Sequence, residues 1–148
     1  MPVAYRIEPE LGIIYYLCIG QTSSTEILKA EAQTSRDPLR QRDMKIILDF
    51  SYGSIDVLPS SLRDVVKLNQ DRMASGLQPE MTALITPSRF GAIFADTLEL
   101  AAKGIPLKFR VYTTLPDAIR WLGLDEHAEK ILALQQTLRQ TNPQQKTS

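Results

Sequence analysis

Asp49 is the acidic residue best placed to do chemistry, because it lies near the end of an apolar segment at residues 45–50 that is typical of a β-strand. An acid at the carboxyl end of a parallel strand often faces a ligand crevice. The same side chain can instead cap the loop that follows it. Asp49 is therefore a candidate ligand-binding residue with a structural alternative.

A second group consists of hydroxyl and arginine side chains at the starts of three predicted helices. Its members are Ser60, Ser61, Ser88, Arg89, Thr113 and Thr114. Helix N-termini present free N–H groups and a positive dipole, so together with Asp49 these residues predict a site for a small anion or phosphate. Serine and threonine are also ordinary N-caps. Arg89 distinguishes the two interpretations, because capping does not need it.

Other reactive residue types have no recognisable partners in the sequence. His127 is the single histidine, and it belongs to no serine or carboxylate constellation that can be assigned as a triad. Cys18 lies inside an apolar segment and is expected to be a small buried hydrophobe. We therefore predict no catalytic residue, no metal site and no cofactor, and expect a protein that is not an enzyme. The enzymatic alternative uses Asp49 as a general base and Arg89 as an anion clamp.

Composition limits the class of protein further. The 148 residues suit one domain, and 17 basic residues balance 17 acidic ones. A nucleic-acid partner is not expected, because phosphate binding needs surplus Lys and Arg. The longest apolar run, residues 13–19, is far short of the ~20 residues of a membrane helix, so no integral membrane segment is expected. A single cysteine fits a reducing cytoplasm.

Hydrophobic periodicity predicts five strands, at residues 3–7, 11–19, 45–50, 81–85 and 107–112. Helices are predicted at about 24–35, 59–75, 88–103 and 126–140, with a further helix that ends before Gly123. Residues 51–58 are predicted as a loop. The order predicts an α/β fold: a five-stranded, mixed, mostly parallel sheet with an N-terminal antiparallel hairpin and covering helices.

Three local patterns add a family resemblance. They are the strand Ile46-Ile47-Leu48-Asp49-Phe50-Ser51, the helix start Arg89-Phe90-Gly91, and the ending from Phe109 to Gly123 with its Ala-x-x-Trp-Leu helix. In this order they resemble the STAS-like fold of anti-sigma-factor antagonists. They are also similar to small bacterial STAS-like proteins that share their architecture with CRAL-TRIO lipid-carrier domains.

The resemblance implies a cytoplasmic, non-enzymatic regulatory or protein-interaction module occupying residues 1–124. Its alternative is a carrier that binds a small apolar or anionic ligand, with Phe90, Phe94 and Leu98 lining a pocket. In anti-sigma-factor antagonists the loop after the third strand carries a phosphorylated Asp-Ser-Ser or Asp-Ser-Thr motif. Here Asp56 is followed by Val57-Leu58, and serines return only at Ser60 and Ser61, so the motif is interrupted.

The C-terminal region lies beyond that module. Residues 125–141 are predicted as an appended helix and residues 142–148 as a disordered tail. Ile131, Leu134 and Leu138 form a narrow apolar seam on the helix, with Gln135 among the polar residues around it. The seam can fold back over the chain's own sheet or meet a second copy across a two-fold axis. We favour a homodimer through these three residues, and a regulatory protein is the other possible partner.

Overall fold

The computed structural model describes residues 3–56, 81–87 and 108–141, together with positions 67, 70, 71, 74, 93 and 96. The strands are β1 (Val3–Glu8), β2 (Ile13–Ser23), β3 (Lys45–Asp56), β4 (Thr82–Ile85) and β5 (Phe109–Tyr112). The helices within these ranges are α1 (Ser24–Ser35), α2 (Leu115–Trp121) and α3 (Ala128–Thr141), with a 3-10 turn at Asp125–His127 before α3.

The five strands form one sheet in the order β1-β2-β3-β4-β5. β1 is antiparallel to β2, and the other neighbouring pairs are parallel. The predicted α/β fold with a mixed, mostly parallel sheet is therefore confirmed. No helix in the described part of the chain is long and apolar enough to cross a membrane.

Helices cover both faces of the sheet, which is why β2 is apolar on both. One face carries Tyr15 and Ile47 and packs against α2 and α3. The opposite face carries Tyr16 and Phe50 and packs against Ala30 of α1. Tyr15 and Tyr16 are both almost fully buried, as their position in a central strand predicts.

β3 continues to Asp56, so the loop predicted at residues 51–58 is wrong over 51–56. The pairing with β2 shifts after Leu17 and resumes at Ile19, which lies opposite Tyr52. Two residues of β3 face one of β2 at this point, which is a β-bulge. Beyond it, Gly20 lies opposite Gly53. A Cβ on Gly53 would lie 2.6 Å from the Cys18 carbonyl oxygen, so glycine allows the two strands to approach.

Local capping positions the helices at the sheet. Ser23 accepts a hydrogen bond from the Glu26 N–H at 3.3 Å, and Glu26 accepts one from the Ser23 N–H at 3.0 Å. This confirms the capping box expected from their spacing. Gly123 has φ 72° after α2, and Leu124 donates its N–H to the Ile119 carbonyl at 3.0 Å. The expected glycine cap is therefore also present.

The C-terminal helix folds back over its own chain. Ile131, Leu134 and Leu138 are buried in the same core as Tyr15 and Ile47. The structure therefore shows the intrachain alternative, and the dimer interface assigned to these three residues has to be corrected. Their apolar surface is already covered by the sheet, so it is not available to a second copy. The homodimer itself stays a prediction that needs another surface.

Several other expectations concern residues that are described only in part or not at all. Lys67, Gln70, Asp71 and Ala74 are helical and exposed, within the helix predicted at 59–75. Ile93 is helical but 59% exposed, although its spacing places it on an apolar stripe. The carrier residues Phe90, Phe94 and Leu98 lie outside the described residues, as does the tail at 142–148.

Candidate functional site

Asp49 lies near the carboxyl end of the parallel strands, as predicted, but it does not face a crevice. It is opposite Leu17 of β2 on one side and Ile85 of β4 on the other. Its side chain points to the sheet face that α3 covers, and the residue is 0% exposed. The candidate ligand-binding acid is therefore closed off from solvent in this arrangement.

Among the described residues, four donors surround the Asp49 carboxylate. Oδ2 accepts hydrogen bonds from the Tyr15 hydroxyl and from the Gln135 amide, the latter at 2.7 Å. Oδ1 accepts from the Ser51 N–H at 2.8 Å and from the Ser51 hydroxyl at 2.5 Å. Ser51 lies in the bulge that follows Asp49, two residues along the chain from the carboxylate that it binds. One acid thus ties β2, β3 and α3 together.

This arrangement determines what Asp49 can do chemically. A carboxylate has two oxygens and about four acceptor positions. Tyr15, Ser51 and Gln135 supply four hydrogen bonds to them. These four bonds from described residues match that capacity, so a substrate proton or a ligand donor would have to displace one of them. The geometry therefore favours the structural alternative for Asp49 over a general base.

Burial affects the acidity of two nearby side chains. It raises the pKa of the Tyr15 phenol far above its ordinary value, and the negative charge of Asp49 adds to the increase. The phenol therefore remains a neutral donor to Asp49. Burial likewise raises the pKa of the Cys18 thiol, with further contributions from Asp49 and Glu26. A thiol that stays protonated is a poor nucleophile, which agrees with the expectation of an inert cysteine.

Besides Asp49, the described members of the predicted anion site are Thr113 and Thr114. Both are exposed beyond β5. Thr114 accepts a hydrogen bond from the Asp117 N–H at 3.4 Å and donates one to the Asp117 carboxylate at 3.0 Å. Thr114 is therefore an N-cap, and the nearby carboxylate of Asp117 opposes the binding of an anion.

Four members of the predicted anion site lie outside the described residues. They are Ser60, Ser61, Ser88 and Arg89. Their convergence with Asp49 stays a prediction, and so does the pairing of Asp49 with Arg89 in the enzymatic alternative. Of the seven candidate residues, the structure therefore describes Asp49, Thr113 and Thr114.

Gln135 is the site residue that the sequence reasoning missed. Its residue type places it among the surface residues of the C-terminal helix, whereas the structure buries it to 7% exposure. The spacing contains the signal, because Gln135 follows Ile131 by four residues and precedes Leu138 by three. Residues at these spacings share one helix face. A polar residue on an apolar stripe indicates a buried hydrogen-bonding partner, which here is Asp49.

A second polar network lies on the opposite face of the sheet. The Tyr16 hydroxyl donates to Glu31 of α1 at 2.6 Å and lies 2.6 Å from the Thr34 hydroxyl. Arg40 donates to the same Glu31 at 2.8 Å, with both side chains largely buried. Arg40 therefore ties the loop that follows α1 to the helix, and Tyr16 ties the helix to the sheet. This network is structural in the same sense as the one at Asp49.

His127 lies in the 3-10 turn before α3. Its Nε2 is 3.4 Å from the carboxylate of Glu126, and its backbone N–H donates to the Leu124 carbonyl at 2.9 Å. Among the described residues, no group of three His, Cys, Asp or Glu side chains could hold a metal ion.

Comparisons with known proteins find no matching family model and no matching curated protein.

Proposed function

We propose that this protein is a non-enzymatic regulatory or protein-interaction module of the STAS-like type. The observation that carries the proposal is the buried carboxylate of Asp49, whose acceptor positions are filled by Tyr15, Ser51 and Gln135. The residue best placed for catalysis thus serves the fold. The strand order and the antiparallel start of the sheet support the STAS-like part of the proposal.

The surface proposed to meet a regulatory partner is the projecting end of β2 and β3. Pairing between β3 and β4 ends at Asp49 and Ile85, whereas β2 and β3 stay paired to Ser23 and Asp56. Gln21 and Ser54 are opposite each other on this projection and are exposed. In the family that the chain resembles, the loop after the third strand is the regulated one. In this chain the corresponding loop begins where the projection ends.

The test is a comparison of proteins captured from the producing cells by tagged variants. Gln21→Arg combined with Ser54→Arg adds bulk and charge to the projection, and Ala133→Arg adds charge to the exposed side of α3. We expect the wild type and Ala133→Arg to capture at least one protein in similar amounts. The double variant should capture at least about tenfold less of that protein. Circular dichroism checks that all three proteins are folded.

The opposite outcome is also measurable. The purified protein is incubated with a panel of phosphoester, ester and acyl substrates. Turnover that one side-chain substitution abolishes would contradict the non-enzymatic part of the proposal. The carrier alternative predicts instead a lipid that remains bound in native mass spectrometry.

The proposal includes a homodimer. The chain has a net charge of zero, so there is no overall electrostatic barrier to self-association. Since Ile131, Leu134 and Leu138 are buried within the chain, the dimer requires a different surface.

A further inference from the structure

β1 forms one edge of the sheet, and its outer side has no neighbouring strand among the described residues. All six of its residues pair with β2 in continuous register, from Val3 opposite Cys18 to Glu8 opposite Ile13. The strand contains no bulge and no proline. Edge strands with these properties are templates for pairing with another chain.

The opposite edge of the sheet differs in ways that discourage pairing. β5 has four residues, whereas β1 has six. Very short edge strands are a common protection against edge-to-edge association. Of the two edges, β1 is therefore the one suited to receive a strand.

Symmetry restricts how two copies of β1 can pair. An antiparallel pair related by a two-fold axis perpendicular to the sheet keeps each face on its own side, so one residue must lie opposite its own copy. Centring on Arg6 would place two guanidinium groups opposite each other, which is unfavourable. A register centred on Ile7 would pair few residues of the two copies, because β1 ends at Glu8 and Pro9 begins a turn.

Centring on Tyr5 avoids both problems. It aligns residues 3–7 of each copy, places Tyr5 opposite Tyr5 and Val3 opposite Ile7, and sets Arg6 opposite Ala4. Val3, Tyr5 and Ile7 belong to the same apolar face of the sheet. Aromatic and β-branched pairs of this kind stabilise antiparallel strands. The strand is thus self-complementary in this register.

We propose that a second copy of this chain binds the outer edge of β1 through this Tyr5-centred antiparallel register. The two sheets join into one continuous sheet of ten strands. α1 contacts β1 and β2 on the face that bears Tyr5, so the α1 helices of both copies flank the junction on that face. The interface rests on the homodimer part of the proposed function and not on the absence of catalysis.

Disulfide trapping tests the register. In Tyr5→Cys the Cα atoms of the two new cysteines are about 4.5–5.5 Å apart, which is within the range of a disulfide. In the control Arg6→Cys the two Cα atoms are diagonal neighbours about 8 Å apart, which is too far. Cys18, the chain's own thiol, is buried in the wild type and is common to both variants. We expect mild oxidation of dilute protein to cross-link Tyr5→Cys at least about tenfold faster than Arg6→Cys.

Sedimentation equilibrium tests the interface independently. Tyr5→Lys places two ammonium groups opposite each other and should raise the dimer dissociation constant at least about tenfold. Ala133→Lys, on the exposed side of α3, should leave it unchanged. Hydrogen exchange on the wild type needs no variant. The outward N–H groups of residues 3–7 should be protected at high protein concentration and lose that protection on dilution.

Each result has a defined meaning. A dimer that survives Tyr5→Lys, cross-links no faster at position 5 than at position 6, and leaves the outward amides of β1 unprotected would overturn the β1 interface alone. A wild type that stays monomeric at high concentration would overturn both the interface and the homodimer. Neither outcome changes the assignment of Asp49 or the non-enzymatic proposal.

Discussion

Asp49→Ala is the substitution that tests most directly whether the buried carboxylate is structural. It removes the acceptor for the Tyr15 hydroxyl and the Gln135 amide, both in the interior, and for two donors of Ser51. A buried donor without a partner costs about 1–3 kcal/mol. With at least two such donors, we expect the free energy of unfolding to fall by about 4 kcal/mol. That is a large part of the ~5–15 kcal/mol of a typical domain.

Two further variants separate the hydrogen bonds from the general loss of packing. Asp49→Asn keeps the size and one acceptor oxygen, so its loss should be about half as large. Gln135→Leu removes one donor and leaves the carboxylate with three hydrogen bonds. In Asp49→Ala combined with Gln135→Leu the stranded amide is replaced by an apolar group. The double variant should therefore be more stable than the sum of the single losses predicts, by about 1 kcal/mol or more.

The assay is urea unfolding followed by circular dichroism, analysed as a two-state transition. Gln136→Ala, at the exposed neighbour of Gln135, is the control and should change stability by less than about 0.5 kcal/mol. A loss of less than about 1 kcal/mol in Asp49→Ala would refute the reasoning. It would mean that the carboxylate is not needed by the fold and is available to a ligand.

Two other predictions concern the strands around Asp49. Because burial raises the pKa of Cys18 above that of the unfolded thiol, stability is full below about pH 9 and falls as the pH rises. Urea unfolding should show the wild type losing about 2 kcal/mol relative to Cys18→Val between neutrality and about pH 10.5, and parallel curves would contradict this. Gly53→Ala should cost about 3 kcal/mol in the same assay, because its Cβ meets backbone oxygens at 2.6 Å, whereas Ser54→Ala should be nearly neutral.

Local sequence signals predicted those parts of the fold that depend on neighbouring residues. The capping box of Ser23 and Glu26 and the glycine cap at Gly123 follow from spacing and residue type alone. The position at which β3 ends does not follow from such local signals. Considered with its immediate neighbours alone, Gly53 indicates a loop. In the folded chain it allows close approach to Cys18 and Gly20, which lie more than 30 positions earlier in the sequence.

The candidate site shows the same division. The position of Asp49 near a strand end was predictable, but its burial depends on Gln135, which lies 86 residues away along the chain. A single sequence does not show that these two residues form a pair. It shows each of them separately, as an acid near the end of a strand and an amide on an apolar helix stripe. Only the docking of α3 on the sheet shows that each satisfies the other.

The docking of α3 also covers two features that the sequence suggests for binding. Strand ends are the usual ligand sites of open parallel sheets because nothing covers the crevice there. Here the helix that begins at Ala128 places Gln135 over Asp49 and buries Ile131, Leu134 and Leu138 against the same face. The helix thereby removes both the strand-end acid and its own apolar seam from contact with other molecules. Within the described residues, this leaves the lateral edge at β1 and the projecting end of β2 and β3 as the surfaces that we propose for partners.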